Sequence, residues 1–549
     1  MTQPWVQNYN PLSNTAFSTV AAAVPVCLLF YLLAVRQTIA WRAAVYAFLA
    51  AVGLALAVFG MPPVMVAGAV AHGLVYAVVR IAWTLVAAVF IYELTVESGH
   101  FEVIKESIGA ITDDRRLQVL LIAFAFGALL EGAGGGGAPV AVCGVMMVGL
   151  GFNAFEAGVL CLIANTAPVA WGGMGNPIRT LVAVTALPEA DLSAMVGRIL
   201  PWTAIILPFW LVRSQVKTRE TLQVWPGLIA CGCGFAVIQF FWSNYMDAAL
   251  VDIMGGMGSL LLLAVFFRLW KPRQIWRYPN DPPVSETTVR RHSARAILHA
   301  WSPFLLLTVF VILWGLPGVK RLVDSVTLRA PVPGLHQQVI RTPPVVAAPH
   351  AEPAVFELAW LSAVGTATML AGLVAGPLLG LSLKRIWKVY WRTVRRLRFS
   401  LVAILAMLGL GYITRYSGMD AVLGLAMANT GWLFPMFGTL IGWLGVALTG
   451  TDAGSNALFG SLQVITANKL GLSPVLMASA NSAGGVMGKM IDAQSIIVAC
   501  AATGQEGREG DMFRAVLRHS ILLALIVGLI VTLYAYWLTG WVPSGHRFL

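Results

Sequence analysis

Apolar stretches long enough to cross a bilayer recur from one end of this chain to the other, and no other feature restricts its fold as sharply. They run over roughly 14–35, 41–60, 78–95, 195–212, 225–245, 254–270, 296–316, 358–382, 399–414, 432–448 and 519–539. In hydrocarbon every backbone N–H and C=O must be satisfied within the segment or in a closed barrel. The runs are continuous and lack the alternation of barrel strands, so they read as helices. Only 11% of residues are charged, against about a quarter in soluble domains, which excludes an ordinary cytosolic enzyme. The expected fold is an all-α polytopic membrane protein of about 12–14 transmembrane segments, one integral membrane domain over 1–549.

A net charge of +12 raises the question of a nucleic-acid partner. The basic residues, however, fall between the spans, in 36–42, 105–116, 213–219, 268–295, 384–398 and 508–518, as cytoplasmic loops require. No nucleic acid is expected; the partner is the lipid bilayer. The proline-rich stretch 317–357 and both termini then lie outside. Arg36 follows the first apolar segment, with no basic residue ahead of it, so that segment reads as a retained helix and not a leader. In 384–398 the basic residues alternate with Trp387, Tyr390 and Trp391, the pattern of an interfacial helix. The six cysteines lie in apolar surroundings without metal-ligand spacing. Neither metal nor cofactor is expected.

Two further apolar regions, 117–190 and 448–503, are interrupted by glycine, proline, asparagine and charge. Gly127 through Pro139 aligns without gaps to Gly445 through Ala457 at an offset of 318, pairing Leu130 with Leu448 and Gly132 with Gly450. Downstream, Ala164 to Ala167 matches Ala480 to Ala483; Glu131 to Asn165 spans 34 residues and Thr449 to Asn481 spans 32. The first copy is approached from inside, past Arg115 and Arg116, and the second from outside, through 415–431. Two inverted repeats, 61–245 and 358–540, with broken helices or re-entrant hairpins, are therefore expected. That is a signature of secondary transporters.

Glycine frees the backbone at such breaks, and exposed helix ends offer amides and positive dipoles to an anion. The candidate substrate-binding residues are Gly134, Gly135, Gly136, Asn165 and Thr166 in the first region, and Thr451, Ser455, Asn456, Asn481 and Ser482 in the second. Glu131 and Asp452 are intramembrane acids, functional by default. A carboxyl group in low dielectric favours its neutral form, so both are candidates for proton coupling. The plainer alternatives are that Glu131 partners a helix end, that the asparagines cap half-helices, and that Lys489 and Asp492 pair with each other. The tract 132–137 lacks the Gly-Lys-Ser/Thr of a phosphate loop, and no catalytic constellation stands out. No residue is assigned a catalytic role, and an enzyme is not expected.

At these residues the chain resembles the lactate permease family of bacterial transporters. The resemblance rests on Leu130, Glu131 and Gly132 followed by Gly137 to Ala141, on Ile163 to Ala170, on Leu448 to Asp452 with Ser455 to Phe459, and on Gly488 to Ile491 with Gln494 to Ile496. It runs nearly the whole chain, from Trp5 to the last helix. It implies an inner-membrane permease that takes up lactate, often glycolate, with a proton. Where the family usually has alanine and phenylalanine this chain has Gly134 and Gly136, and Arg179 stands where an apolar residue is expected. A larger or more charged anion is therefore left open, as are a sodium-coupled dicarboxylate symporter, a membrane-embedded enzyme acting on an amphiphile, and monomer versus homo-oligomer.

Overall fold

A computed structural model describes residues 4–36, 38–135, 138–278, 292–346 and 348–545. Gly136, one of the candidate binding residues, lies outside them. The apolar runs are helices, as backbone self-satisfaction demands, and the chain is an all-α polytopic membrane protein. Among the described residues ten helices are long and apolar enough to cross a membrane, or twelve if each of two bent pairs forms one span. This meets the lower end of the expected count.

The chain opens with α1 (Thr15–Phe30), capped by Asn14, whose Oδ1 accepts from the Phe17 amide at 3.1 Å. It is followed by α2 (Ala40–Ala57) and α3 (Pro63–Glu97), one helix of 35 residues where 78–95 alone was expected. The first interrupted region forms α4 (Arg115–Gly134), α5 (Ala138–Gly149), α6 (Ala154–Ala164) and α7 (Gly172–Thr185). Then come α8 (Glu189–Gln215), α9 (Trp225–Tyr245), α10 (Val251–Leu269) and α11 (Ala294–Gly315). After the proline-rich loop, α12 (Val364–Leu378) starts later than expected because Val355–Leu358 pairs as a strand instead. Next is α13 (Leu383–Ser417), 35 residues that fuse the basic stretch to the span behind it. The second interrupted region forms α14 (Phe434–Thr449), α15 (Asp452–Leu470), α16 (Pro474–Gly488) and α17 (Ala493–Thr503), and α18 (Glu509–Tyr536) ends the bundle.

The two ends of the bundle are tied differently. At the end carrying the basic loops, Arg116 is fully buried. It donates to Asp114 Oδ2 at 2.6 Å, to the Glu220 carbonyl at 2.8 Å and to the Gln274 carbonyl at 2.9 Å, which locks three loops together. At the opposite end β1 (Trp5–Val6) pairs in parallel with β3 (Val339–Arg341), which pairs antiparallel with β4 (His350–Ala351); β2 (Leu328–Pro331) pairs antiparallel with β5 (Val355–Leu358). Glu352 joins this cap to the bundle through Arg341 at 3.1 Å and Arg415 at 2.9 Å. Gln7 donates to the carbonyls of Arg415 and Tyr416, and the Gly545 amide to Asp191. Both described ends of the chain therefore share the face of the proline-rich loop.

The two interrupted regions have the same succession of elements: a helix that stops at a glycine, a second helix, a third that bends, a fourth, and a long final helix. The bend is 63° after Ala154–Ala164 and 40° after Pro474–Ile491. Helices α14 and α16 meet at backbone contact, as small residues allow in lipid. A Cβ built on Gly442 would lie 2.0 Å from the Asn481 carbonyl oxygen, and one on Gly484 2.1 Å from that of Thr439.

Candidate functional site

The first break forms because α4 runs into glycine: Gly135 takes a φ of +58°, which residues with a Cβ resist, and the helix stops. Glu131 lies in the last turn of α4, 3% exposed, with no hydrogen-bond partner for Oε2. Its Oε1 rests on Gly172, where an added Cβ would come within 2.6 Å. Gly173, Met174 and Gly175 are all left-handed, with φ of 54°, 61° and 75°. Met174 pays the larger steric penalty in that conformation. Arg179 holds it there, donating from Nη1 to the Met174 carbonyl at 2.6 Å while pairing with Asp247 at 3.0 Å.

Asn165 is buried within reach of the Glu131 carboxylate, and its amide has no other hydrogen-bond partner among the described residues. Asp252, at the start of α10, is fully buried with both oxygens unpartnered. It packs on Gly132, whose Cβ would meet its own at 2.8 Å, and is within electrostatic reach of Glu131.

The second break is made at Gly450, with φ of +76°, and it opens directly onto α15. Asp452 Oδ2 accepts from Asn456 at 3.3 Å and from the Ser482 hydroxyl. Asn481 Nδ2 donates to Asn456 Oδ1 at 2.9 Å and to Ser455 Oγ at 3.3 Å, and its Oδ1 accepts from Gln463 at 3.2 Å. These polar side chains form one connected network. Asp452 Oδ1 has no partner and faces Gly485, whose Cβ would come within 2.3 Å. Each break thus sets a buried carboxylate against a glycine of a neighbouring helix.

The two breaks meet. Asn456 donates to the Pro177 carbonyl at 3.1 Å, across from α15 to α7. Lys489 is 3% exposed at the end of α16, donates to the Gly450 carbonyl at 2.6 Å and pairs with Asp492 at 3.2 Å. Its ammonium is the cation felt by both Glu131 and Asp452.

Of the residues singled out in the sequence, Glu131, Gly135 and Asn165 gather at one break, and Asp452, Ser455, Asn456, Asn481 and Ser482 at the other. Three are used differently. Thr451 is exposed and caps α15, accepting from the Gly454 amide at 3.0 Å. Thr166 donates to the Ile163 carbonyl at 2.8 Å. Gly134 has no neighbour closer to its Cβ position than Val89 at 4.0 Å. Lys489 and Asp492 do pair as their plainer reading had it, yet the lysine is also within electrostatic reach of both acids. Asp252, Gln463 and Gly172 were missed. The acid in the apolar run of α10 was a usable signal; the other two became visible only from contacts between helices.

The comparisons agree with this architecture. A family model described as L-lactate permease matches residues 18–538. The glycolate permease GlcA of Escherichia coli (strain K12) is 42% identical over 557 residues, covering 98% of this chain and 100% of that one. The L-lactate permease of Salmonella typhimurium is 41% identical over 548 residues, and that of Bacillus subtilis 39% over 568, each covering 98% of this chain and 100% of the other. Among solved structures, the YdaH transporter of Alcanivorax borkumensis has a TM-score of 0.43 at 13% identity over 82% of this chain and 84% of that one, too slight a likeness to carry an argument. With a family match over almost every helix and relatives aligned end to end, the chain belongs to the L-lactate permease family and is a multi-pass inner-membrane permease, not an enzyme.

Proposed function

We propose that this permease moves lactate or glycolate together with protons, and that the substrate carboxylate binds between the two breaks beside Lys489. The names of the relatives support the substrate class. One observation carries the coupling: among the described residues, the buried acids Glu131, Asp452 and Asp492 are all within electrostatic reach of the Lys489 ammonium, and a fourth, Asp252, is buried within reach of Glu131. Fully ionised, four carboxylates against one ammonium would leave the set with three negative charges. A carboxylate substrate can enter only when protons have been taken up there. Linkage makes the effect reciprocal, so substrate binding in turn raises proton affinity. Asn165, whose amide faces only Glu131, and the free Oε2 of Glu131 offer hydrogen bonds to the carboxylate and hydroxyl of a small 2-hydroxy acid.

The matching order of elements in the two regions supports an inverted-repeat reading. At an offset of 316 the correspondence extends from Asn165 and Asn481 to Gly172 and Gly488, Met174 and Met490, and Asn176 and Asp492. We read 61–245 and 358–540 as repeats that rearrange around this site to give alternating access.

Glu131→Gln keeps the size and one hydrogen-bonding pattern of the side chain but removes titration. In proteoliposomes this variant should lose lactate accumulation driven by an imposed pH gradient, at least tenfold, while retaining exchange of internal for external lactate. Normal accumulation by the variant would remove Glu131 from the coupling and leave Asp452 and Asp252 to be tested in the same way. Accumulation that follows a sodium gradient and ignores pH would overturn proton coupling altogether.

A further inference from the structure

The first half of α13 carries a surface that neither the transport site nor the packing of the bundle uses. Ile386, Val389 and Thr393 are buried along one side of it. A second side is neutralised: Arg385 and Arg392 pair with Glu97, and Arg392 and Arg396 with Glu93. Lys384, Lys388, Trp391 and Arg395 recur at intervals of four, three and four residues, which places them together on a third side. All four are exposed, as is Trp387 beside them. Among the described residues, Lys384, Lys388 and Arg395 have no ion-pair or hydrogen-bond partner.

The ion pairs also show how this half-helix lies. Arg385 and Arg396 are eleven residues apart, about 16 Å along an α-helix, yet their carboxylates, Glu97 and Glu93, are one turn apart on α3, about 6 Å. Arginine side chains are long enough to converge on both carboxylates, and Tyr390 packs on Phe90 with ring centroids 5.9 Å apart, so the stretch lies against the end of α3. Glu97 is the last residue of α3, at the end of the bundle that carries the basic loops. Lys384, Lys388 and Arg395 therefore lie at that end of the bundle, within reach of cytoplasmic-leaflet headgroups, beside two tryptophans of the amphipathic kind favoured at that level.

We propose that this face is a binding site for anionic phospholipid headgroups, with the three free cations on the phosphates and Trp387 and Trp391 at the acyl boundary. Charge complementarity selects an anionic lipid over a zwitterionic one, by roughly fivefold per basic residue and so about a hundredfold for three. The site is independent of the transported substrate.

Native mass spectrometry of the purified full-length protein, offered equal phosphatidylglycerol and phosphatidylcholine, tests this. The wild type should retain phosphatidylglycerol preferentially. Lys384→Gln/Lys388→Gln/Arg395→Gln should bring retention down to the phosphatidylcholine level. A charge-matched control, Arg268→Gln/Lys271→Gln/Arg273→Gln, should keep the preference. If the triple variant does not reach the membrane, the three single variants should each lower retention severalfold. Undiminished phosphatidylglycerol retention by the triple or single variants would overturn the proposal, as would displacement of the lipid by inorganic phosphate alone, which would mark a soluble-anion site.

Discussion

At the scale of single residues, the account turns on two glycines that leave room for two carboxylates. A methyl group at Gly172 would lie 2.6 Å from Glu131 Oε1, and one at Gly485 2.3 Å from Asp452 Oδ1. Neither acid can retreat without disturbing its break, so Gly172→Ala and Gly485→Ala should each cut lactate uptake at least tenfold. Overpacking of this kind costs about 1–3 kcal/mol, so membrane levels should fall only modestly. Gly53→Ala, with nothing within 4 Å, is the control and should transport normally. Uptake rates normalised to membrane protein decide the matter; wild-type rates in both variants would show that the carboxylates are not held by these contacts. Glu131 and Asp452 were legible in the sequence because acids in apolar runs are costly and therefore conspicuous. Lys489 was half legible, since its spacing from Asp492 announced an ion pair and hid its reach to Glu131 and Asp452. Gly172 was illegible, because the chain gives no sign of which glycine a distant side chain will rest on.

At the scale of elements, α4 and α14 are proposed to enter from opposite faces. Arg116 at the start of α4 belongs to the hub of basic loops, whereas Trp432, just before α14, accepts from Tyr536 at the end of α18. Asp113→Cys and Asn429→Cys, in a background lacking the exposed Cys27, should label from opposite sides of intact cells with an impermeant reagent; labelling from one side would end the inverted-repeat reading. The strand cap offers a pH test. Burial alone would raise the Glu352 carboxyl, but Arg341 and Arg415 outweigh it and hold the group below its ordinary value. A depressed carboxyl stabilises the fold above the usual glutamate range, and that contribution is lost as pH falls through the range and below. Glu352→Gln should therefore lower the apparent melting temperature near neutral pH and flatten its decline in acid. An unchanged melting profile would mean the cap bears no stability. The apolar runs made most helices readable, but not their joints. α13 reads as an interfacial helix and a separate span because its first half is basic, yet the two are one continuous helix whose basic half pairs with Glu93 and Glu97. The start of α12 was misplaced because a strand pairing with Leu328–Pro331 is a long-range event.

At the scale of the whole molecule, the end of the bundle that carries the basic loops is tied together by Asp114 and Arg116. Asp114 accepts from Arg116 Nε at 3.0 Å, from Nη2 at 2.6 Å and from the Trp276 amide at 3.0 Å. Asp114→Ala would strand a fully buried guanidinium, a loss of about 3–5 kcal/mol. The detergent-solubilised variant should melt several degrees lower than the wild type, and an equal melting temperature would show that the hub holds nothing together. The buried charge set at the two breaks is proposed to admit the anion only together with protons. The direct measurement is made in sealed proteoliposomes with a lightly buffered exterior and no imposed ion gradient, on adding external lactate. The account predicts that the medium turns alkaline as lactate enters, by at least one proton per lactate, and that Glu131→Gln abolishes the signal. Lactate entry with no change in external pH would contradict it.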